Sequence, residues 1–195
     1  MTTLTPMTAE EVLTVAAAHA FGVVPHGGPD WMEPHAHEFA FTVDRPLADV
    51  WRWLNDPATF VEGQVWPYRV EFVSPGCDAE GRAVPAGFHV GVLNTHHGPG
   101  LNFAGVIAAV EPMAYRDLRY FYGAYALSPR WIRPTRLQFW TEADGEGTGV
   151  RLQVDSLVRA GWGGRWSWLQ ERFWRRFPRW LRKGVDARGP AARRG

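Results

Sequence analysis

The segment that decides the fold is C-terminal, residues 165–195, and it reads RWSWLQERFWRRFPRWLRKGVDARGPAARRG. Apolar residues recur in it, and just before it, every three or four positions, at Trp162, Trp166, Leu169, Phe173, Phe177 and Trp180. This spacing predicts one aromatic face on a long α-helix. Such a helix needs a large apolar surface to lie on. Pro178 inside it should introduce a bend that lets the helix follow a curved sheet.

The C-terminal segment also divides the charges of the chain. It contains ten Arg and Lys and two acidic residues, a net charge of +8, whereas the first 164 residues contain eleven and eighteen, a net charge of −7. The arginines lie mostly on the other side of the predicted helix, at Arg165, Arg172, Arg175, Arg176, Arg179 and Arg182. Because charge runs are more often solvated faces than binding sites, we expect these arginines to pair with acids elsewhere in the fold.

Two other partners for the arginine face stay open. With Trp168 and Trp174 beside it, the face could lie on an anionic membrane surface, through Arg172, Arg175 and Arg179. Contact with nucleic-acid phosphates is the least favoured alternative.

The composition is that of a soluble, single-domain protein. The chain has 195 residues, of which 46% are hydrophobic and 21% charged; these values are typical of one globular domain. A single cysteine, Cys77, excludes an internal disulfide and favours a cytoplasmic location. Residues 1–22 lack the basic start of a signal peptide. Residues 83–110 carry no charged side chain, but His, Asn and Pro interrupt them, which indicates two buried strands around a turn rather than a membrane span.

The pattern along the chain predicts helices at its start and then mostly strands. Residues 8–11, Thr-Ala-Glu-Glu, form a capping box for a helix that runs to Gly22, and a Gly/Pro-rich connector follows to Pro34. A strand at 37–43 precedes two short helices at 46–55 and 57–61. Further strands are predicted at 68–74, 88–95, 101–110, 115–123, 135–143 and 149–159, the last two joined by the hairpin turn Asp-Gly-Glu-Gly.

Several of these segments resemble one known family. FAFTVDRPLADVW at residues 39–51 resembles its opening strand and "Pro-x-x-x-Val-Trp" helix, and Asp-Pro at 56–57 and Val-Glu-Pro at 110–112 follow in the expected order. GTGVRL at 147–152 resembles the start of its last strand. On these residues the chain is similar to the START-related polyketide cyclase/dehydrase and lipid transport superfamily (SRPBCC), over about residues 38–186.

The resemblance implies an α+β helix-grip fold. In this fold a curved antiparallel sheet of about seven strands wraps around a long C-terminal α-helix, with two short helices after the first strand. The domain would span residues 35–188, preceded by an extra N-terminal helix and connector at 1–34 and followed by a frayed tail at 189–195. These are motifs of architecture rather than of catalysis, so they specify the fold better than the activity.

The resemblance also implies a cavity between the sheet and the long helix. Family members use this cavity for lipids, sterols, polyketides or plant hormones, and some are cyclases or aromatases. We therefore expect this chain to bind a small hydrophobic ligand, with a wall formed by Trp66, Tyr68, His89, Phe103, Tyr120, Tyr122, Trp140, Phe173 and Phe177. For each of these rings, simple core packing is the competing interpretation.

Catalytic chemistry has only weak candidates in the sequence. His89, an imidazole in a charge-free predicted strand, and Tyr120 could move protons in a cyclase-type enzyme. Asp117 and Arg119 could form a buried pair or anchor a ligand head group, but we favour a position of both on the wet face of the sheet, since unpaired buried charge is costly.

The sequence shows no pattern for a metal or cofactor. The pairs His35/His37 and His96/His97, the latter on a predicted turn, match no known ligand spacing. No nucleophile elbow or phosphate loop is present. We therefore expect neither a metal nor a cofactor.

Overall fold

The computed structural model of the protein describes residues 29–61, 69–78, 80–125 and 130–189. The predicted N-terminal helix, most of the connector and the tail after Gly189 lie outside these residues. The described elements, in chain order, are β1 (Met32–Val43), α1 (Leu47–Asn55), α2 (Pro57–Val61), β2 (Arg69–Val73), β3 (Gly76–Cys77), β4 (Ala83–Val84), β5 (Leu93–Gly98), β6 (Leu101–Glu111), β7 (Tyr115–Tyr125), β8 (Ile132–Asp144), β9 (Gly147–Arg159), α3 (Gly163–Trp174) and α4 (Phe177–Arg188).

Seven of the described strands form one antiparallel sheet, in the order β1-β9-β8-β7-β6-β5-β2. β3 and β4 pair separately, a small hairpin that the sequence pattern did not indicate. The first strand pairs with the last because Phe39, Phe41 and Val43 lie opposite Leu152, Val150 and Thr148. The helices pack on one face of this sheet, which we call the inner face.

Most predicted strands are confirmed, and one is shifted. The segment predicted at 88–95 forms β5 at Leu93–Gly98, so His96 and His97 lie in a strand and not on a turn. His89 lies before the strand, in a bent segment whose backbone is held by hydrogen bonds from His89 N to Gly87 O and from Val92 N to His89 O. The glycine at 87 has a φ of 145°, a conformation that side-chain-bearing residues avoid and that lets the chain turn here.

The C-terminal helix bends where Pro178 predicts it. The chain leaves α3 at Trp174, passes through Arg175 and Arg176, and restarts as α4 at Phe177. Pro178 is then in the first turn of α4, where its missing N–H has no intrahelical partner to lose. The predicted bend is confirmed as a break between two helices.

The predicted aromatic stripe of this helix is wrong in half of its members. Leu169, Phe173 and Trp180 are exposed by 44%, 50% and 47%. The buried face consists instead of Trp166, Gln170, Trp174, Phe177, Leu181 and Val185. A hydropathy pattern passes over Gln170, but its Oε1 accepts a hydrogen bond from Trp174 Nε1 at 2.6 Å. Both polar groups are thereby satisfied, and the pair can be buried.

The core divides into two main clusters of buried side chains. The C-terminal cluster lies between α1, α4 and strands β1, β8 and β9, and contains Val43, Val50, Leu54, Phe139, Val150, Leu152, Val154, Trp174, Phe177, Leu181 and Val185. The middle-strand cluster lies on β6, β7 and the segment before β5, and contains Phe88, Val92, Phe103, Ile107, Leu118 and Tyr120, with Phe60 and Phe72 packed against it. Leu137 contacts both clusters.

Candidate functional site

Polar side chains enter the middle-strand cluster from two strands. On β5, Asn94 and His96 point to the same face of the sheet because they are two residues apart. This is the inner face, since His96 stacks on Phe103 of the middle-strand cluster. Asn94 is only 1% exposed. On β7, Arg116 and Tyr120 point to the same face and are 2% and 7% exposed. These four residues form the candidate site: hydrogen-bonding groups among aromatic rings, three of them buried and His96 partly buried.

Arg116 occupies the junction of the two core clusters. Its guanidinium carbon lies 4.1 Å from the ring centre of Phe88 in the middle-strand cluster and 4.8 Å from that of Phe139 in the C-terminal cluster. Its Nη1 donates hydrogen bonds to Leu54 O and to Asn55 Oδ1 at the C-terminal end of α1. The negative end of the helix dipole is there, so these contacts stabilise the cation.

The cation of Arg116 is nevertheless incompletely satisfied. Its Nε is buried and has no hydrogen-bond partner among the described residues. Burial lowers the pKa of Arg116 to about 9, against a smaller opposing interaction with Tyr120. The side chain therefore stays charged at neutral pH, in surroundings that disfavour the charge.

His96 is held as a neutral ring. Its Nε2 lies 2.7 Å from Asn94 Oδ1, and its ring stacks on Phe103 at 4.5 Å between centres with 20° between planes. Burial, and then the charges of His97 and Arg116, lower the pKa of His96 to about 4. At neutral pH the imidazole is uncharged, and it can donate or accept a hydrogen bond without adding a second positive charge to the site.

On the outer face of β7, the strand that also carries Arg116, a buried charge has ion-pair partners. Asp117, 3% exposed, accepts hydrogen bonds from Arg119 Nε at 2.8 Å and from Arg136 Nε and Nη2 at 2.9 Å each. Asp117 and Arg119 do pair on the outer face, but the carboxylate is buried there and not solvated, so the expectation of a pair on the wet face is confirmed only for the pairing. Asp117 thus has two cationic partners, whereas the adjacent Arg116 on the inner face has no carboxylate partner in the described part of the chain.

The structure brings three of the predicted wall residues to the inner face. Phe103 and Tyr120 lie in the middle-strand cluster, with ring centres 4.8 Å apart. Phe177 lies in the C-terminal cluster, 7% exposed, and contacts Phe139, Phe41, Trp53 and Trp174. Trp66 and Tyr68 lie outside the described residues, as does the side chain of Tyr122.

Three other predicted site residues lie elsewhere. His89 is exposed, so it is not the buried imidazole that the sequence suggested; His96 has that position because the strand begins later. Trp140 is on the outer face, where Arg151 lies over its ring at 3.7 Å and Tyr115 packs at 5.3 Å. Phe173 is half exposed on α3, because the buried stripe runs through Trp174.

Two further histidines, His35 and His37, contact α3. His35 Nε2 lies 2.8 Å from Ser167 Oγ, and His37 Nε2 lies 3.6 Å from Glu171 Oε2, so both attach β1 to α3. Among the described residues, no three His, Cys, Asp or Glu side chains are close enough together to hold a metal ion. Cys77 is exposed.

A second unusual surface lies on the outward side of the terminal helices. Trp168, Leu169, Phe173 and Trp180 are exposed by 63%, 44%, 50% and 47%; we call these four residues the aromatic ridge. Phe173 and Trp180 are in contact, with ring centres 5.6 Å apart, so the ridge continues across the break between α3 and α4. No helix in the described part of the chain has the length and apolar character to span a bilayer.

The arginines beside the aromatic ridge are mostly without acidic partners. Arg175 pairs with Glu171 of the same helix at 2.8 Å, and Arg172 lies 6.0 Å from the ring centre of Trp168. Within the described ranges, none of Arg165, Arg172, Arg176, Arg179 and Arg182 forms an ion pair with a carboxylate, so the expectation that they pair with the acidic remainder of the fold is wrong for them. Their charge faces solvent.

No protein-family model and no curated protein matches this chain. Solved structures do match it. MLL2253 from Mesorhizobium loti is 14% identical, with 80% of this chain and 100% of that chain covered, at a TM-score of 0.56. Ara h 8.0201 is 13% identical, with 80% and 97% covered, at a TM-score of 0.51. DynU16, from the dynemicin biosynthetic locus, is 16% identical, with 83% and 49% covered, at a TM-score of 0.53.

These likenesses, taken with the seven-stranded sheet and the C-terminal helices that pack on it, decide the architecture. The fold is an α+β helix-grip fold. At identities of 11–16% the likeness shows the fold alone, and this chain spans about half the length of DynU16. The function must therefore be argued from the residues on the helix-grip scaffold.

Proposed function

We propose that the protein binds a small hydrophobic or aromatic ligand on the inner face of the sheet, between the strands and the C-terminal helices, as the resemblance to the START-related superfamily suggests. The observation that carries the proposal is the burial of Asn94, Tyr120 and Arg116 among aromatic rings, with the partly buried His96 stacked beside them. Apolar walls with a few convergent polar groups are typical of small-molecule sites. In a core that only packs, buried polar groups have a cost and are seldom clustered.

The proposed division of labour follows from the contacts. The apolar surface comes from aromatic rings that meet edge to face in two pairs, Phe103 with Tyr120 and Phe72 with Phe88. His96 is fixed by Asn94 and stacked on Phe103, so it can set the orientation of a ligand hydroxyl or carbonyl. Trp66, Tyr68 and Tyr122 remain part of the proposed wall.

The test is the binding of a neutral fluorescent probe, N-phenylnaphthylamine, to the purified protein. We expect binding with emission enhancement, and a loss of affinity of roughly tenfold in Phe103→Leu, which removes aromatic surface from the proposed wall. Phe121→Leu is the matched control, because Phe121 is on the same sheet but 52% exposed, and its affinity should equal that of the wild type. Absence of probe binding by folded wild-type protein would contradict the proposal.

Native mass spectrometry of the freshly purified protein, with analysis of its organic extract, complements the probe. A reproducible extra mass that is recovered as a lipophilic compound would name the chemical class of the ligand.

A cyclase- or aromatase-type enzyme is the first alternative. The observation that favours it is the neutral His96, whose ring centre lies 6.0 Å from that of Tyr120, since an uncharged imidazole can accept a proton. His96 takes the role for which the sequence suggested His89. If a linear polyketone is cyclised or dehydrated by the protein, His96→Gln should lower turnover by about 10²–10⁴-fold, and His89→Gln should not. Equal turnover in all three proteins would exclude this role.

Contact with an anionic membrane surface is the second alternative, favoured by the aromatic ridge and by the unpaired arginines beside it. Exposed Trp and Phe next to Arg are typical of helices that lie at the headgroup level. Flotation with vesicles that contain phosphatidylglycerol should carry the wild type, and neutral phosphatidylcholine vesicles should not. Replacing Arg172, Arg175 and Arg179 by Gln should abolish flotation, and Trp168→Ser should weaken it. Unchanged flotation of the triple variant would contradict this reading.

A further inference from the structure

We propose that Arg116 forms an anion subsite at the inner end of the ligand site, and that the ligand is a lipophilic monoanion: an aromatic or fatty carboxylate, or an enolate. The inference rests on the proposed function, because it names the charge of the ligand that the middle-strand cluster would bind.

The buried cation of Arg116 has no counter-charge among the described residues. Arg116 is 2% exposed and has no acidic partner among the described residues, although Asp117, next to it in sequence, has two cationic partners on the other face. A buried cation without a counter-ion is costly. The lowered pKa of Arg116 reflects the same cost. An anion at this position would offset it.

The Nε–H group of Arg116 is a hydrogen-bond donor that is available to a ligand. Nη1 of Arg116 is committed to α1, through Leu54 O and Asn55 Oδ1, and the rings of Phe88 and Phe139 lie against the guanidinium. These contacts fix the guanidinium in place, while its Nε is left buried without a partner. A donor that is fixed in advance in surroundings of low polarity binds an oxyanion without the cost of reorganisation.

The charge of the candidate site fits a ligand with a single negative charge. His96 lies close enough to Arg116 for the charge of the arginine to lower its pKa, and it is neutral at neutral pH. Asn94 is an amide and carries no charge, and none of the four residues is an acid. The four residues of the candidate site therefore carry one positive charge, which matches one negative charge on a ligand. The surrounding rings, Phe60, Phe72, Phe88 and Phe103, favour an apolar remainder.

The experiment compares two dyes with the same aromatic skeleton, N-phenylnaphthylamine and its sulfonate, anilinonaphthalene sulfonate. The proposal predicts that the wild type binds the sulfonate at least about tenfold more tightly than the neutral dye, the value of one charge-assisted hydrogen bond. Because the arginines of the terminal helices could also attract a sulfonate, both affinities are measured in low and high salt. A buried contact keeps its preference at high salt, whereas a surface contact loses it.

Variants at Arg116 locate the preference. Arg116→Met, which keeps length and apolar character, should lose the preference for the sulfonate, measured as the ratio of the two dye affinities in the same variant, so that this ratio falls to about one. Arg116→Lys should retain part of the preference, because the charge remains and the fork is lost. Arg119→Met is the matched control: it removes one charge from the same strand on the outer face, where Asp117 keeps Arg136, and it should retain the full preference.

A measurement on the wild type covers the case in which Arg116→Met fails to fold. In protein labelled with ¹⁵N-arginine, the Nε–H resonance of a buried arginine is observable. The Arg116 Nε–H signal, assigned by its absence in Arg116→Lys, should move downfield on addition of the sulfonate and much less with the neutral dye, since only the anion accepts a charge-assisted hydrogen bond.

The outcomes separate the two proposals. If the neutral dye binds, but the sulfonate is no better at high salt and the Nε–H signal does not respond, the anion subsite is refuted and the proposed hydrophobic ligand stands. If neither dye binds to the folded protein, both are refuted. A preference that disappears in Arg116→Met and persists in Arg119→Met supports the subsite.

Discussion

The two core clusters sit side by side on one sheet and are built differently. The C-terminal cluster is apolar: Val, Leu, Phe and Trp fill it, and Leu152 and Leu181 have no exposed surface. The middle-strand cluster is bordered by a buried arginine, a buried asparagine and a partly buried histidine. The first cluster holds the helices on the sheet, whereas the second contains groups that stability alone would not select. The difference suggests that stability and binding can be altered separately.

The largest effect should come from the C-terminal cluster. Leu152→Ala removes a side chain without exposed surface, and we expect the free energy of unfolding to fall by about 2–5 kcal/mol, since transfer and cavity terms add. Urea unfolding measures the change. Leu169→Ala, on the 44% exposed Leu169, should cost less than about 1 kcal/mol. In the folded fraction of Leu152→Ala the affinity for N-phenylnaphthylamine should not change; a matching loss of affinity would show that the clusters are not separable.

A smaller effect should follow from crowding the contact between α1 and α4. A methyl group at Gly184 would collide with the indole of Trp53, so Gly184→Ala should lower the free energy of unfolding by about 1–3 kcal/mol. Gly164 in α3 has open space around it, and Gly164→Ala should be neutral or stabilise the protein by up to about 1 kcal/mol. Thermal unfolding of the two variants measures the difference. Equal melting temperatures would mean that α4 does not rest on α1 as closely as the structure shows.

The smallest effect should come from the pH dependence of the middle-strand cluster. The pKa of His96 is about 4 in the folded protein against 6.5 as the ordinary value, so only the unfolded chain takes up this proton between those pH values. The stability contribution of the neutral ring is therefore complete above pH 6.5 and is lost as the pH falls toward 4. Between pH 7 and 5.5 the loss should be about 1 kcal/mol.

Urea unfolding at both pH values tests this slope. The slope should be reduced in His96→Gln and should persist in the control His89→Gln, since His89 is exposed. A slope that is the same in the wild type and in His96→Gln would show that His96 is not buried as a neutral ring.

The sequence predicted the elements of the fold better than the surfaces that they bury. Alternation in β9 and the hairpin signal before it gave the last strand almost to the residue, because period-two patterning and turn residues act locally. Gln170 shows the limit. No hydropathy pattern selects a glutamine as a buried residue, and only the hydrogen bond to Trp174 makes its burial acceptable.

The candidate site was predicted only in part for a similar reason. Phe103 and Tyr120 could be named because aromatic residues in apolar strands are often inward. Arg116 could not be found in this way, because an arginine in a strand normally faces water, and its burial depends on the end of α1 and on Phe88 and Phe139. The strand predicted at 88–95 begins at Leu93 in the structure. His96, and not His89, is therefore the histidine whose side chain points inward, since the position of a strand along the chain decides which residues face the core.

The sequence by itself determined the chain order of the seven strands of the main sheet, the interruption of the C-terminal helix near Pro178 and the concentration of positive charge in the last helices. These are properties of neighbouring residues: periodicity, proline geometry and charge count. The tertiary structure alone decided which side of α3 is buried, that most arginines beside the aromatic ridge have no acidic partner within the described ranges, and that Arg116 lies between two clusters with no counter-ion among the described residues. These properties depend on contacts between residues that are far apart in the chain, as between Arg116 and Leu54, and burial and pairing are fixed only when those contacts form.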